Sequence, residues 1–452
     1  MAFNSASNIQ SVVMKEDGFG QMGFYILAVL YLFMGIGSVV STAIINKLGS
    51  RYCFIIGGLG NVQWILSTIL AAEQKSRIFK TDGTIEKPSK YITAALYVST
   101  MINGFTVGVL WACANNFVAR CASETNKGFA FSYFWSFYMC SQILGNLIAA
   151  FTLGKFSQQI YFLVMGVIAL LGTLTFVFLS EPENHKSSDS PETKQNEGLD
   201  IEMRQEPQHS FMDDVKSVIE LLQNKRMRML LPQLCWTGIS IAVYTGLLVP
   251  TIVSTLPEAT EQKQFQYSMI TMVALGFGEI IGANIQGRIV DKFGTKITCI
   301  INVVYILIST MLVLNYLYVN KFTYFAFAMT FMWGFQDSSV SIHLNAILGF
   351  EFEGNSEPFS IDALIEAIMV FTFQVIQSFI ISQKAHFYYI TFVGFCGMSM
   401  TFCTYFFAFR PVKDIINNDN GDDLPLIEVR QQPTQDNQTN GLVKIQKQQI
   451  IQ

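Results

Sequence analysis

The stretch GRIVDKFGTK, residues 287–296, decides the fold because it is a short charged turn between two long apolar runs. A second turn of this kind, NKLGSR at residues 46–51, also separates two apolar runs. Superposing the two turns shifts the numbering by about 245 residues and places Gly37 on Gly282. A repeat of this form predicts two copies of one helical membrane unit.

The composition is that of a chain dissolved mainly in lipid. Of its 452 residues, 51% are hydrophobic and 14% are charged, and the mean hydropathy is +0.37. The net charge of -4 is small and forms no basic patch, which argues against a nucleic-acid partner. The sequence therefore predicts a polytopic membrane protein that lies in the lipid bilayer.

The sequence carries none of the common signatures of catalytic or metal sites. The eight cysteines lack zinc-ligand spacing and fall mostly within or beside apolar runs, and there are only four histidines. Walker loops, nucleophile elbows and HExxH motifs are absent. We therefore expect a protein that is not an enzyme and that uses no cofactor or metal.

Apolar runs of about 20 residues mark the candidate transmembrane helices. Five runs lie in the first part of the sequence and six in the second, and each run predicts one helix. The candidate spans are 24–45, 52–72, 91–113, 128–152, 160–180, 229–250, 267–287, 297–317, 322–349, 358–382 and 387–409. The predicted fold is an all-α bundle of two halves with about eleven transmembrane helices.

Composition divides the chain into four predicted segments. Residues 1–180 form the first helical half, and residues 229–409 form the second. Between them, residues 181–228 read as a cytosolic linker that ends in a short amphipathic helix starting near Phe211. The tail, residues 410–452, is rich in Asn, Gln and Asp and is predicted to be disordered.

The two halves have unequal numbers of predicted helices. With the offset of about 245 residues, the counterpart of the run 229–250 would end near Ser5. We therefore expect the first helix of a twelve-helix fold to be missing, except for a last turn at residues 1–5. Either the chain is truncated or its true start lies upstream.

The distribution of Lys and Arg predicts the orientation. Most of them lie on the side that holds the two charged turns, the linker and the tail, so that side and the C-terminus are expected in the cytosol. Asp422, Leu426 and Ile427 fit an acidic dileucine sorting signal in this tail. The expected location is the plasma membrane or an endosomal or lysosomal membrane.

Ionisable residues inside the predicted spans are the first candidates for function, because they are costly in a bilayer. Glu279 lies between Gly278 and Gly282, where helices can approach closely, and is either a structural hydrogen-bond partner or a proton or ion site. Asp337 and Asn345 form a polar stripe with Ser341 at intervals of four, and His343 points elsewhere. This stripe favours the lining of a central cavity.

Two further acids lie four residues apart near the start of a predicted helix. Asp362 is expected to be a solvated residue at the entrance, and Glu366, one turn deeper, is either structural or functional. The predicted spans of the first half carry neutral polar residues instead, such as Asn103 and Asn115, which commonly bond helix to helix.

The two charged turns are candidate cytosolic gates. Asp291 is placed to bond the N-terminal amides of a neighbouring helix, and Asn46 replaces this acid in the first copy, which predicts a weaker latch there. The gate residues are Asn46, Lys47, Gly49, Arg51, Asp291, Lys292, Gly294 and Lys296.

One block and several shorter matches connect the chain to a known family. The block consists of Asn126, Lys127, Gly128, Trp135, Gln142, Gly145 and Asn146. Gly104, Gly108 and Trp111 match as well. With the duplicated halves and the Gly-x-x-x-Asp-Lys-x-Gly-x-Lys turn, the chain resembles the major facilitator superfamily and, within it, the uncoordinated-93-like family of ion-channel regulators.

Two functions from different classes are open, one implied by the resemblance and one suggested by the acids within the spans. As a member of that family, the chain would be a regulatory or trafficking partner of a potassium-channel-like ion channel or of a membrane receptor. The alternative is a secondary active transporter of a small solute, proton-coupled through Glu279 or Asp337. The expected partners are the bilayer, a channel or receptor subunit, and a solute in the second case.

Overall fold

The computed structural model describes most of the two helical halves. It describes residues 2–78, 88–122, 127–180, 211–352, 357–407 and 409. The predicted sorting residues Asp422, Leu426 and Ile427, the block residue Asn126 and most of the predicted linker lie outside these ranges.

The first half consists of eight helices, several of which join end to end. A π-helical turn, Lys15–Phe19, follows the first of them, and a 3₁₀ turn, Phe176–Phe178, follows the last. The helices are α1 (Ala2–Met14), α2 (Met22–Val39), α3 (Ser41–Leu48), α4 (Ser50–Ser67), α5 (Ile69–Ile78), α6 (Lys90–Cys121), α7 (Lys127–Lys155) and α8 (Gln158–Thr175).

The second half has the same plan after a short preceding helix. A π-helical turn, Tyr244–Leu248, joins two of its helices, and a 3₁₀ turn, Thr404–Phe406, ends the last one. The helices are α9 (Phe211–Gln223), α10 (Lys225–Val243), α11 (Val249–Ser254), α12 (Glu261–Val319), α13 (Tyr324–Glu351), α14 (Glu357–Ser378) and α15 (Gln383–Cys403).

Most of these helices are suited to a bilayer. Within the described ranges, nine are long and apolar enough to cross a membrane. One of them, α12, bends at Gly294 and therefore covers two predicted spans, 267–287 and 297–317. The helix α13 covers the predicted span 322–349 but is not among the nine, because its buried polar residues lower its hydropathy. The chain is thus an all-α membrane protein, as the sequence predicts.

The two charged turns have the same backbone conformation. Gly49 has φ 79° and ψ 163°, and Gly294 has φ 74° and ψ 175°. These values lie in a region that is open mainly to glycine. The two glycines are 245 residues apart, so the repeat predicted from the sequence is present in the backbone.

The repeat extends to the way neighbouring helices pack. A methyl group on Gly37 of α2 would overlap the carbonyl oxygen of Phe105 on α6. A methyl group on Gly282 of α12 would overlap the carbonyl oxygen of Phe335 on α13 in the same way. Each half therefore brings one pair of helices into direct backbone contact, as small residues at membrane helix crossings allow.

The first helix corrects one expectation from the sequence. α1 runs from Ala2 to Met14 instead of ending near Ser5, and it is buried against α2, α7 and α8. A search for about 20 mostly apolar residues does not detect it, because it has only 13 residues and many of them are polar.

The two halves meet along two pairs of helices. α2 of the first half packs along α14 of the second, and residues 261–293 of α12 pack along α7 of the first half. Beside the first of these contacts, the hydroxyl groups of Ser41 at the start of α3 and Ser360 of α14 lie 2.9 Å apart. These two interfaces flank the space between the halves in which the polar residues collect.

The amphipathic segment after the predicted linker forms α9. Its Val218 is buried, and the helix contacts α3 of the first half and α10 and α14 of the second. The hydroxyl group of Ser217 donates a hydrogen bond to Glu357 at the start of α14. The predicted position of α9 on the cytosolic surface and the four predicted segment boundaries stay predictions.

We predict that Gly282→Ala destabilises the protein, because the added methyl group has no space between α12 and α13. Overpacking of this kind costs about 1–3 kcal/mol, and we expect a lower unfolding temperature in detergent. Gly172→Ala on α8 is the matched control, since no atom lies within 4 Å of the position of its methyl group. Equal unfolding temperatures for the two variants would contradict the close packing.

Candidate functional site

A cavity of about 80 Å³ lies between the two halves. Residues of α1, α2, α6 and α7 line it from the first half, and residues of α10, α13 and α14 line it from the second. Its volume is enough for several water molecules or a small solute group. Because both halves contribute, a change in their relative position would change the cavity.

The polar stripe predicted on α13 faces this cavity. Asp337, Ser341 and Asn345 all line it, as their spacing of four residues predicts. Asn345 is 6% exposed, and its amide oxygen has no hydrogen-bond partner among the described residues. His343 points away from the cavity, and its Nδ1 atom lies 3.3 Å from the amide of Asn302.

Glu279 is the innermost of the predicted acids and is fully buried. The indole Nε1 of Trp135, on α7 of the first half, donates a hydrogen bond of 2.8 Å to its Oε2. Its carboxyl group also lies within hydrogen-bonding distance of the carboxyl group of Asp337. Two carboxyl groups can hydrogen-bond to each other only when one of them carries a proton. A hydrogen bond between these two groups would therefore require one shared proton.

Asp337 is held from a second direction by α10. The hydroxyl group of Ser240 donates a hydrogen bond to Oδ1 of Asp337. Ser240 is itself fixed by Gln336, whose Nε2 donates to its hydroxyl group at 2.8 Å, and by Trp333, whose Nε1 donates to its carbonyl oxygen at 3.2 Å. The carboxyl pair is thus connected to α7, α10, α12 and α13, which belong to both halves.

Asp362 and Glu366 also line the cavity. The prediction that Asp362 is a solvated entrance residue is wrong, because it is only 8% exposed. α14 begins at Glu357, its first turn contacts α3 through Ser360 and Ser41, and the helix packs along α2. A position near a helix end therefore does not place Asp362 in solvent.

The charges around the cavity all have one sign. Three carboxyl groups, those of Asp337, Asp362 and Glu366, line it, and Glu279 lies directly behind Asp337. Among the described residues that line the cavity, none is Lys, Arg or His. Acids without a basic partner in a low-dielectric interior favour protons or other cations as their counterions.

Most of the block 126–146 faces α12 across the boundary between the halves. The amide Nδ2 of Asn146 donates to the carbonyl oxygen of Met272 at 3.2 Å, and Trp135 bonds to Glu279. Gln142 is buried where Gly276 approaches α7. The carbonyl oxygen of Gly145 instead accepts a hydrogen bond of 3.1 Å from Ser5 of α1. The block thus fixes α7 against its neighbours.

The turn 287–296 makes the contact that the sequence predicts for its acid. Oδ1 of Asp291 accepts a hydrogen bond of 3.0 Å from the backbone amide of Gly128, one residue after α7 begins at Lys127. A carboxylate at a helix N-terminus is favourable because of the free amides and the helix dipole. This bond joins the second half to the first.

The remaining turn residues lie at the surface. Nζ of Lys292 lies 5.3 Å from the ring centre of Phe293, and Lys296 is exposed. In the first copy, Asn46, Lys47 and Arg51 are exposed at the end of α3 and the start of α4. Their role as gates stays a prediction.

Sequence reasoning missed the part of the cavity that α1 contributes. Asn4, Ser7 and Asn8 line the cavity, and the hydroxyl group of Tyr138 donates to Oδ1 of Asn4 at 2.8 Å. The signal for these residues was their spacing, since Asn4, Asn8 and Ser11 share one helical face. The expectation that this helix is missing hides that signal.

Two repeated helical halves around an acidic central cavity define a helical membrane protein of transporter architecture. A family model described as "Major Facilitator Superfamily" matches residues 1–361. The chain belongs to this superfamily.

Two curated relatives carry the name UNC93-like. The chain is 21% identical over 400 residues to "UNC93-like protein MFSD11" of Xenopus laevis, covering 81% of this chain and 84% of the relative. It is 22% identical over 258 residues to "UNC93-like protein 3" of Arabidopsis thaliana, covering 54% of this chain and 48% of the relative. These similarities confirm the resemblance seen in the sequence.

Solved structures confirm the fold. The xylose transporter XylE from E. coli, in a partially occluded inward open conformation, matches with a TM-score of 0.64 and 12% identity over 90% of this chain and 94% of that one. The transporter FucP in the outward conformation matches with a TM-score of 0.55 and 16% identity over 90% and 95%. At such low identities the match shows the architecture alone.

We predict that Asp291→Ala destabilises the protein by about 0.5–2 kcal/mol, the usual cost of removing a helix cap. The substitution leaves the amide of Gly128 without its acceptor. Asp291→Asn keeps an acceptor oxygen and is expected to lose only the charge contribution, about 0.3–1 kcal/mol. Thermal unfolding in detergent measures the order of stability of the two variants. Lys292→Ala is the control on the same turn. An alanine variant as stable as the wild type would contradict this bridge.

Proposed function

We propose that this protein is a secondary transporter that moves a small solute together with protons, and that Glu279 and Asp337 are its proton-coupling pair. The observation that carries the proposal is the contact between these two buried carboxyl groups beside the central cavity. Transporters of this architecture bind substrate and coupling ions near the interface of the repeats.

The energetics of the pair support proton coupling. If both carboxyl groups were ionised, two like charges about 4 Å apart would repel by about 4 kcal/mol at an effective dielectric constant of about 20. A shared proton removes this repulsion and supplies the donor that two acceptor groups need. When the proton is released, the two carboxylates on α12 and α13 therefore repel each other.

The hydrogen bonds of the pair connect its protonation state to the contact between the two halves. Trp135 belongs to the first half, and its bond to Glu279 crosses the boundary that must shift when the halves rock against each other. Ser240 on α10 holds the other member of the pair, Asp337. A change in the charge of Glu279 thus changes the strength of a bond between the halves.

The regulatory hypothesis is the second candidate, and similarity to UNC93-like proteins supports it. In that case the fold would serve as a partner of a channel or receptor subunit and would not conduct a solute. Gentle purification from native membranes discriminates the two. A channel or receptor subunit present in near-stoichiometric amount favours regulation, whereas flux through the purified protein alone favours transport.

We predict that Glu279→Gln and Asp337→Asn each abolish proton-coupled flux. Both variants keep the shape of the side chain but cannot hold and release the shared proton. The protein is reconstituted in liposomes that contain a pH-sensitive dye, and sugars, amino acids and amines are added in turn to find a solute that moves protons. Glu220→Gln is the control, because it removes a carboxylate that is exposed on α9.

Two results would contradict this proposal. Unchanged coupling in both variants would remove Glu279 and Asp337 from the proton pathway. Absence of flux for every class of solute, together with a co-purifying channel or receptor subunit, would favour the regulatory function.

A further inference from the structure

We propose that the central cavity binds its solute as an organic ammonium ion, held by Asp362 and Glu366 against the aromatic rings of Tyr31 and Tyr244. This inference rests on the proposed transport function, and it assigns the solute class that the sequence leaves open. It also separates two tasks, since Glu279 and Asp337 hold the proton while the two acids of α14 bind the solute.

The first observation is a pair of acids on α14 that has no basic partner in the cavity. Asp362 and Glu366 are one helical turn apart and line the same cavity. No basic side chain is among the described residues that line it, and no hydrogen bond of Glu366 is found within the described ranges. Asp362 is buried and Glu366 is partly buried. Acids in such an interior are costly without a counterion, so a cation that enters the cavity gains the energy of both contacts.

The second observation is a surplus of hydrogen-bond acceptors. The side-chain oxygens Oδ1 of Asn345, Asp362 and Asn115 have no partner within the part of the chain that the structure describes. Asn345 and Asp362 are more than nine-tenths buried, and all three residues line the cavity. Acceptor oxygens call for a solute that donates hydrogen bonds or carries positive charge.

The third observation is the aromatic character of the wall. Besides Tyr31 and Tyr244, the rings of Trp111, Trp135 and Tyr138 line the cavity, and those of Trp111 and Tyr138 meet edge to face at 4.8 Å. Aromatic faces attract ammonium groups through their quadrupole, most strongly when the cation is desolvated. Acids and aromatic rings together are the arrangement that recognises alkylated ammonium ions.

The same wall disfavours other solutes. An anion would meet three carboxyl groups and no basic residue. Among the described residues, no group of three or more His, Cys, Asp or Glu side chains is arranged to hold a metal ion. A neutral solute would leave the acids of α14 without a cationic partner. The volume of about 80 Å³ points to a small ammonium head group.

The test measures binding to the purified full chain in detergent, without a membrane gradient. Choline and ethylammonium are titrated while tryptophan fluorescence is recorded, because Trp111 and Trp135 line the cavity. The control ligand is 3,3-dimethylbutan-1-ol, which has the shape of choline but carries no charge. We expect saturable quenching by at least one cation and at least about tenfold weaker binding of the neutral alcohol.

Variants locate the site. Asp362→Asn combined with Glu366→Gln should weaken binding of the cation by about tenfold or more, and Glu220→Gln should leave it unchanged. A melting curve establishes that each variant is folded. If the double variant fails to fold, the single Asp362→Asn variant and the comparison of choline with its neutral analogue on the wild-type chain decide the question.

The possible failures are distinguishable. No response to either cation, equal binding of the neutral alcohol, or a response reproduced by the same concentration of potassium chloride would overturn the ammonium site. Proton-coupled flux of a sugar without ammonium binding would overturn this inference alone. Ammonium binding without any flux would support the site and contradict the transport function.

Discussion

Two acids that touch inside a membrane protein are the constraint on which the rest of this structure depends. Glu279 and Asp337 have no basic partner among the contacts described for them, so their contact requires a proton. The hydrogen bonds from Trp135 and Ser240 fix this pair from two sides. Backbone contact between α12 and α13 at Gly282 brings the pair together. The contact that packs α12 against α13 therefore also places the two acids beside the cavity.

Patterns within the sequence predict the features that depend on the spacing of residues. The offset of about 245 residues predicted the repeat, because helix-breaking glycines such as Gly49 and Gly294 stand at equivalent turns. The spacing of four placed Asp337, Ser341 and Asn345 on one face. The bond from Gly128 to Asp291 was predicted because an acid beside a helix N-terminus has one favourable partner.

Other features cannot be predicted without knowing which helix packs against a residue. Asp362 lies near a helix end, where solvent is the usual environment, but α2 packs along the same helix and buries it. α1 is short and partly polar, and it is helical and buried because α2, α7 and α8 pack against it, which a search for long apolar runs does not detect. The contact between Glu279 and Asp337 joins two helices, so no pattern within one helix reveals it.

The two halves have the same helix packing but contribute different side chains to the cavity. The contact of Gly104 with Leu30 recurs as that of Gly334 with Leu275. Leu30 and Leu275 are 245 residues apart, and Gly104 and Gly334 are 230 residues apart. The same two offsets place Glu279 on Met34 and Asp337 on Val107, and both of these apolar side chains line the cavity. The close glycine contacts thus occur in both halves, whereas these two positions carry acids in the second half and apolar residues in the first. In the proposed transport function the proton step would therefore belong to the second half, and the hydrogen bond from Trp135 to Glu279 would connect the first half to it.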